Sequence, residues 1–277
     1  NFALKTLFRI LDKVSDFSNL KLITSQTDLS INEEIFSAMP KCISNWYSIN
    51  VDYQDKALTP IPLGMGNSFQ DKYVTNNLLY SQSKDEQLIK IPKLYVNFRE
   101  NTNTQHRENL QDYFRDKNWA TVDSPNQKPK EYIDKIKNHQ FVLSPWGNGI
   151  DTHRIWESLY LGAIPVTKYH HTLSTLHNLP VLFINNYEDL SEDYLLKAKV
   201  KIDSVKFNFE KLKTDWWVSE VINIRDYQNN INPQIFRGSQ FFDSIDKFFF
   251  SMGREVENKM KKLRYYFRKI TSLFRNI

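Results

Sequence analysis

Cysteine is nearly absent from this 277-residue chain, where Cys42 stands alone. That count excludes a disulfide framework and points to a reducing, cytoplasmic setting. Glycine is scarce as well, at 7 residues, so each one calls for its own reading. No apolar run reaches the roughly 18 residues needed to cross a bilayer. Position 1 is Asn rather than Met, so the lack of a leader or anchor excludes nothing. No Gly-x-Gly-x-x-Gly follows a strand pattern, which disfavours a nicotinamide-dependent enzyme. No Asp-x-Asp follows one either. His170 and His171 adjoin and so diverge on any regular element, and His177 is not at ligand spacing. No metal and no cofactor is expected.

What the chain does have is core-forming material. Hydrophobic residues make up 40% and charged residues 25%, a balance too apolar for disorder. The length suits two domains of about 100–150 residues. The net charge of +5, from 37 Lys and Arg against 32 Asp and Glu, suits a nucleotide, a phosphorylated substrate or an anionic surface without choosing among them.

The hydrophobic pattern alternates between strand and helix. Apolar residues at helical spacing over 3–15 predict an opening helix, and Leu20–Thr24 reads as a strand ending in a polar turn at Ser25–Asp28. Ile31–Met39 reads as a helix stopped at Pro40. Cys42–Tyr47 and Thr59–Gly66 are further strands. The polar stretch 81–92 marks a domain transition. Beyond it, strands at Lys93–Phe98, Trp119–Val122, Phe141–Ser144, Ala163–Thr167 and Val181–Ile184 alternate with helices at His106–Asp116, Pro129–Asn138 and Asp151–Leu161. Such alternation predicts βαβ units and parallel sheets. The expectation is an α/β protein of two Rossmann-like domains facing a cleft, mainly helical from about 203 onward. Residues 1–90 form the first domain, completed by C-terminal helices; 91–235 form the second; 236–277 form a basic helical segment. In that tail, Lys259, Lys261, Lys262, Arg264, Arg268 and Lys269 interleave with Met260, Leu263, Tyr266, Phe267 and Ile270. Two readings of the tail stay open: a peripheral membrane contact, or a helix packed back on the first domain with a solvated basic face.

The chemistry concentrates in residues 141–168, FVLSPWGNGIDTHRIWESLYLGAIPVTK. A buried strand runs through a loop holding Gly147 and Gly149 straight into a helix bearing His153, Arg154 and Glu157. In doubly wound sheets ligands bind beyond the carboxyl ends of strands, where the next helix presents its positive N-terminus. The two glycines would let backbone N–H groups approach a phosphate. Arg154 would grip a diphosphate, and Glu157, three residues on, would accept from ribose hydroxyls. The alternative for this pair is an i,i+3 surface ion pair.

This stretch resembles the donor-site signature of exostosin-like glycosyltransferases: a strand, Pro-x-Gly-x-Gly, an Asp or Asn, Arg-x-Trp-Glu, then Gly-x-Ile-Pro-Val. Trp146 stands where the signature more usually carries Arg. Weaker similarity extends to Tyr95–Phe98 with Arg107, to Ile61–Gly64 and to Ser25–Asp28, covering most of residues 20–190. The resemblance implies a GT-B fold and transfer from a nucleoside-diphosphate sugar, with a hydroxyl of an oligosaccharide or glycoprotein as the expected acceptor. UDP is the first expectation, UDP-xylose one example. By the same resemblance Arg154 contacts the diphosphate, Glu157 the ribose, and Asn97 and Arg99 line the phosphate pocket with Arg107 behind. Asp151 stands at the signature's acidic position and counts with the donor-binding set. A base for the acceptor hydroxyl is expected from first-domain loops, at Asp28 or Asp71; one base in a cleft suits inversion. Each could instead be a turn or capping aspartate. Two other classes compete: a nucleic-acid-binding protein, disfavoured by dispersed charge and the lack of a recognition signature, and an inactive nucleotide- or sugar-binding module of the same fold.

Overall fold

The computed structural model describes residues 2–14, 17–25, 27–66 and 89–222. Asp71 and the tail 236–277 therefore lie outside the described residues. Those that are described fall in one compact unit, Asn1–Ile224, which holds both sheets.

The first lobe is a three-stranded parallel sheet in the order β1-β2-β3 (Leu20–Thr24, Ile43–Ser48, Leu58–Pro60). Helix α1 (Phe2–Leu11) turns Phe8 onto the fully buried Trp46 of β2, edge to face at 5.5 Å, and the Trp46 indole N–H donates to Thr24 Oγ1 at 2.8 Å. Those contacts and Ile31, Ile43, Val51 and Leu58 make the core of this lobe. Helix α2 (Glu33–Ser37) is shorter than its sequence pattern: Asn32 caps it, and Ile31 is drawn instead into a bridge with Val51. β3 ends at Pro60, because two prolines in Pro60-Ile61-Pro62 remove ladder donors.

The second lobe is a five-stranded parallel sheet in the order β5-β4-β6-β7-β8 (Ala120–Val122, Ile91–Val96, His139–Leu143, Ile164–Lys168, Leu182–Ile184). Its central strands bury both faces. Leu94, Val96, Phe141 and Leu143 point to one core with Phe114, while Tyr95 and Val142 point to another with Ile136. A strand with apolar side chains on both faces needs helices on both, as a doubly wound sheet provides. The expected Rossmann-like architecture is what the chain adopts.

Helix α5 (Pro129–Asn138) and helix α6 (His153–Tyr160) flank this sheet. The helix expected over 106–116 is split into α3 (Thr104–Arg107) and α4 (Leu110–Arg115), with Asn109 left-handed at φ 61° between them. A twelve-residue helix, α7 (Glu192–Asp203), capped by Ser191, precedes the region where helix was expected. Helix α8 (Thr214–Ile222) returns the chain to the first lobe, where Lys21 Nζ donates to Val221 O at 2.8 Å. Among the described residues no helix is long and apolar enough to cross a membrane.

Candidate functional site

A cleft of about 740 Å³ opens where the carboxyl ends of both sheets face each other. That size is ordinary for a small-molecule site. The first lobe contributes Thr27 and Asp28, after β1, and Leu63, after β3. The second contributes Asn97 and Arg99 after β4, Gly147 and Gly149 after β6, and His153, Arg154 and Glu157 on α6. Arg107, Asp151 and Tyr132 complete the wall. Nine of the ten residues singled out from sequence thus line one cavity; the tenth, Asp71, is outside the described residues.

Their side chains divide into two groups. Asn97, Arg107 and Asp151 are 5%, 5% and 2% exposed and turn their polar atoms mainly to the protein. Asn97 Nδ2 donates to Ser124 O at 2.9 Å and to Gln127 Oε1 at 3.1 Å, fixing the loop before α5. Arg107 donates to the carbonyls of Trp146, Pro145 and Arg99 at 2.7, 2.9 and 3.1 Å. Burial and the nearby Arg154 lower its pKa to about 10, and the guanidinium stays charged at neutral pH. Asp151 accepts from Leu63 N at 2.8 Å and from the Trp156 indole N–H at 2.9 Å, so its carboxylate ties the lobes together. Burial pushes its pKa up to about 6, against the lowering effect of those bonds. These residues shape the wall rather than reach across it.

The two glycines also pack closely against protein groups. The Gly147 N–H is engaged by Gly149 O at 2.9 Å, and Asn103 Nδ2 donates to Gly147 O at 2.6 Å. A methyl on Gly149 would sit 2.5 Å from Asn50 Nδ2, and one on Gly147 would sit 3.0 Å from an Arg107 terminal nitrogen. A side chain at 149 would collide with Asn50, and one at 147 would press on Arg107.

Arg154 behaves differently. Its guanidinium lies between the rings of Phe98 and Tyr132, 6.0 and 5.9 Å from their centroids. Among the described residues it makes no hydrogen bond or ion pair, and its buried Nε is unpartnered. The i,i+3 pair that the spacing allowed does not form: Glu157 is 5% exposed and accepts from Tyr132 Oη at 2.9 Å instead. Burial raises the Glu157 pKa, and the Arg154 charge opposes that rise. Thr152 Oγ1, at the N-terminus of α6, is a second buried atom with no partner, and Thr152 provides no side-chain cap. Two orphaned polar atoms and an uncapped helix end therefore converge on one wall. Arg99 is exposed, reaching Asn126 Oδ1 at 3.4 Å.

The first lobe offers Asp28, exposed on the opposite wall. Trp146 turns away from the cavity, packing edge-on against His106 and His170 and donating to Lys168 O. Trp156 is core, 1% exposed. Among the described residues no group of three or more His, Cys, Asp or Glu is gathered.

Sequence reading missed Asn50, and no local signal marks it. It follows β2 in a left-handed conformation (φ 52°), is 2% exposed, and joins the two lobes. Around it, Thr172 Oγ1 donates to Val51 O at 2.6 Å, and His170 Nε2 bonds Asp52 Oδ1 at 3.1 Å. Because the Thr172 N–H donates to His170 Nδ1, Nε2 carries the hydrogen that Asp52 receives.

No family model matches the chain, and no curated protein matches it either. Among solved structures, one titled as the crystal structure of an alpha1,3-fucosyltransferase is similar, at 12% identity and a TM-score of 0.39, over 76% of this chain and 73% of that one.

Proposed function

We propose that the chain is a glycosyltransferase that takes its sugar from a nucleoside-diphosphate donor bound in this cleft. The observation that carries the reading is Arg154: a cation held between two rings, without a protein partner among the described residues, at the N-terminus of α6. An unpaired buried N–H costs about 1–3 kcal/mol, so its retention favours a ligand that completes it. A diphosphate supplies what is missing, since its oxygens accept from both guanidinium and helix N–H groups.

In this reading Arg154 and the helix terminus stabilise the negative charge that develops on the departing diphosphate. The Glu157 oxygen not engaged by Tyr132 meets a ribose hydroxyl. Arg107 and Asn97 hold the walls, and Arg99 closes the outer side. The acceptor hydroxyl attacks the anomeric carbon from the side opposite the leaving diphosphate, giving inversion, and its proton passes to Asp28 or Asp71. UDP is the proposed nucleotide, UDP-xylose one of several open donors, and a glycan hydroxyl the acceptor. Neutralisation by Arg154 and the helix leaves no step that requires a metal.

A thermal-shift screen over nucleoside diphosphates and nucleotide sugars, followed by release of the nucleotide from each donor that binds, tests the reading. A native-state ligand present at 100 times its Kd raises stability by about 2.7 kcal/mol. Stabilisation by UDP with turnover that survives EDTA is expected. Binding without release of nucleotide from any donor would indicate an inactive module, and turnover lost to EDTA and restored by Mn²⁺ would contradict the metal-free chemistry.

A further inference from the structure

Asn50 is not part of the cavity wall, yet it touches the loops that carry both halves of the proposed chemistry. Its Oδ1 accepts from Ile150 N at 2.9 Å and from Asp151 N at 3.2 Å, at the entrance to α6. Its Nδ2 donates to Thr27 O at 3.2 Å, the residue before Asp28. One amide therefore spans the donor-side loop and the loop bearing the candidate base. Only a side chain with an acceptor and a donor on the same carbon can do this at such short reach. The left-handed backbone suits Asn, and Gly149 leaves the space the amide fills.

We propose that Asn50 is a positioning residue for glycosyl transfer, setting Asp28 against the anomeric carbon of a donor held at α6. The proposal rests on the function argued above. The donor loop has other restraints, from Arg107 to Pro145 and Trp146 and from Asn103 to Gly147, whereas the Thr27–Asp28 loop depends on Asn50 for its tie to the second lobe. Loss of the amide should therefore disturb the base and spare the donor.

Two variants fit the left-handed backbone. Asn50→Gly removes the side chain, and Asn50→Asp keeps the acceptor for Ile150 and Asp151 but turns an oxygen toward Thr27 O. The bonds from Thr172 to Val51 and from His170 to Asp52 remain to hold the lobes. UDP affinity is measured by calorimetry, and UDP release is measured with whichever of UDP-xylose, UDP-glucuronic acid and UDP-galactose the wild type cleaves fastest. For Asn50→Asp, affinity should stay within about threefold, while release slows by roughly 10- to 100-fold, the scale of a misplaced reacting group. In an Asp28→Asn background the same change should cost nothing further, because a positioning residue acts through its target. Wild-type turnover in Asn50→Asp, an equal loss of affinity and turnover, or full additivity with Asp28→Asn would each overturn the proposal. A wild type that releases no UDP from any of these donors would instead remove the function on which the proposal rests.

Discussion

Replacing Arg154 by Met separates a ligand-binding arginine from a structural one, because the two roles give opposite signs. Methionine keeps an unbranched apolar stem between Phe98 and Tyr132 but removes the charge and every donor. On the stability side, two ring contacts near 6 Å are lost, each worth about 0.5–1 kcal/mol. Against this, a buried Nε–H that costs about 1–3 kcal/mol disappears, as does repulsion between Arg154 and the clamped Arg107. Glu157 loses a neighbouring cation that opposes the rise of its pKa, so that pKa should rise further. These effects nearly cancel, and denaturant unfolding should place the variant within about 1 kcal/mol of the wild type. On the functional side, loss of a charged donor to the departing diphosphate should cost about 2–4 kcal/mol, a fall of roughly 30- to 900-fold in UDP release per folded molecule. Stability held while turnover collapses is the pattern of a residue kept for its ligand. If the variant lost 3 kcal/mol or more of stability and kept its turnover, Arg154 would be a brace and the site would need another cation.

Two further outcomes follow from the same geometry. Asp28→Asn keeps the volume and removes the proton acceptor, so transfer should fall by about 10²–10⁴ with nucleotide affinity little changed; Asp71→Asn run in parallel decides between the pair, and a bystander of either kind would lose only about 0.5–2 kcal/mol of stability. Asp151 has a folded pKa of about 6 against an ordinary 3.8, so the native state favours its protonated form. Its contribution to stability is full below about pH 4 and is lost as pH rises through about 6. Denaturant midpoints from pH 4 to 7 should fall less steeply for Asp151→Asn than for the wild type, and equal slopes would refute the assignment.

Much of the second lobe was legible because its signals are local. Leu94, Tyr95 and Val96 are apolar without a break, which only a strand buried on both faces requires, and Pro129 opens α5 where a missing N–H costs nothing. The strand-loop-helix order around Gly147 lies at the wall of the cleft. The purpose of its residues was less readable. Gly149 is glycine because Asn50, 99 positions earlier in the chain, presses against it, and Asp151 is buried because Leu63 and Trp156 satisfy it. Neither fact has a sequence pattern, since both depend on how the lobes meet. The break between α3 and α4 was missed for a related reason: Asn109 in its left-handed conformation interrupts a stretch whose apolar spacing continues through it. For Arg154 and Glu157 the spacing left an ion pair open as the alternative, and it does not form because Tyr132, from another helix, takes the carboxylate.

The most direct test of the central claim is a crystal structure with UDP bound. The diphosphate should lie at the N-terminus of α6, hydrogen-bonded to Arg154, with Thr152 Oγ1 partnered and a ribose hydroxyl on Glu157. UDP bound away from both Arg154 and Glu157, with the Arg154 Nε still orphaned between Phe98 and Tyr132, would contradict it.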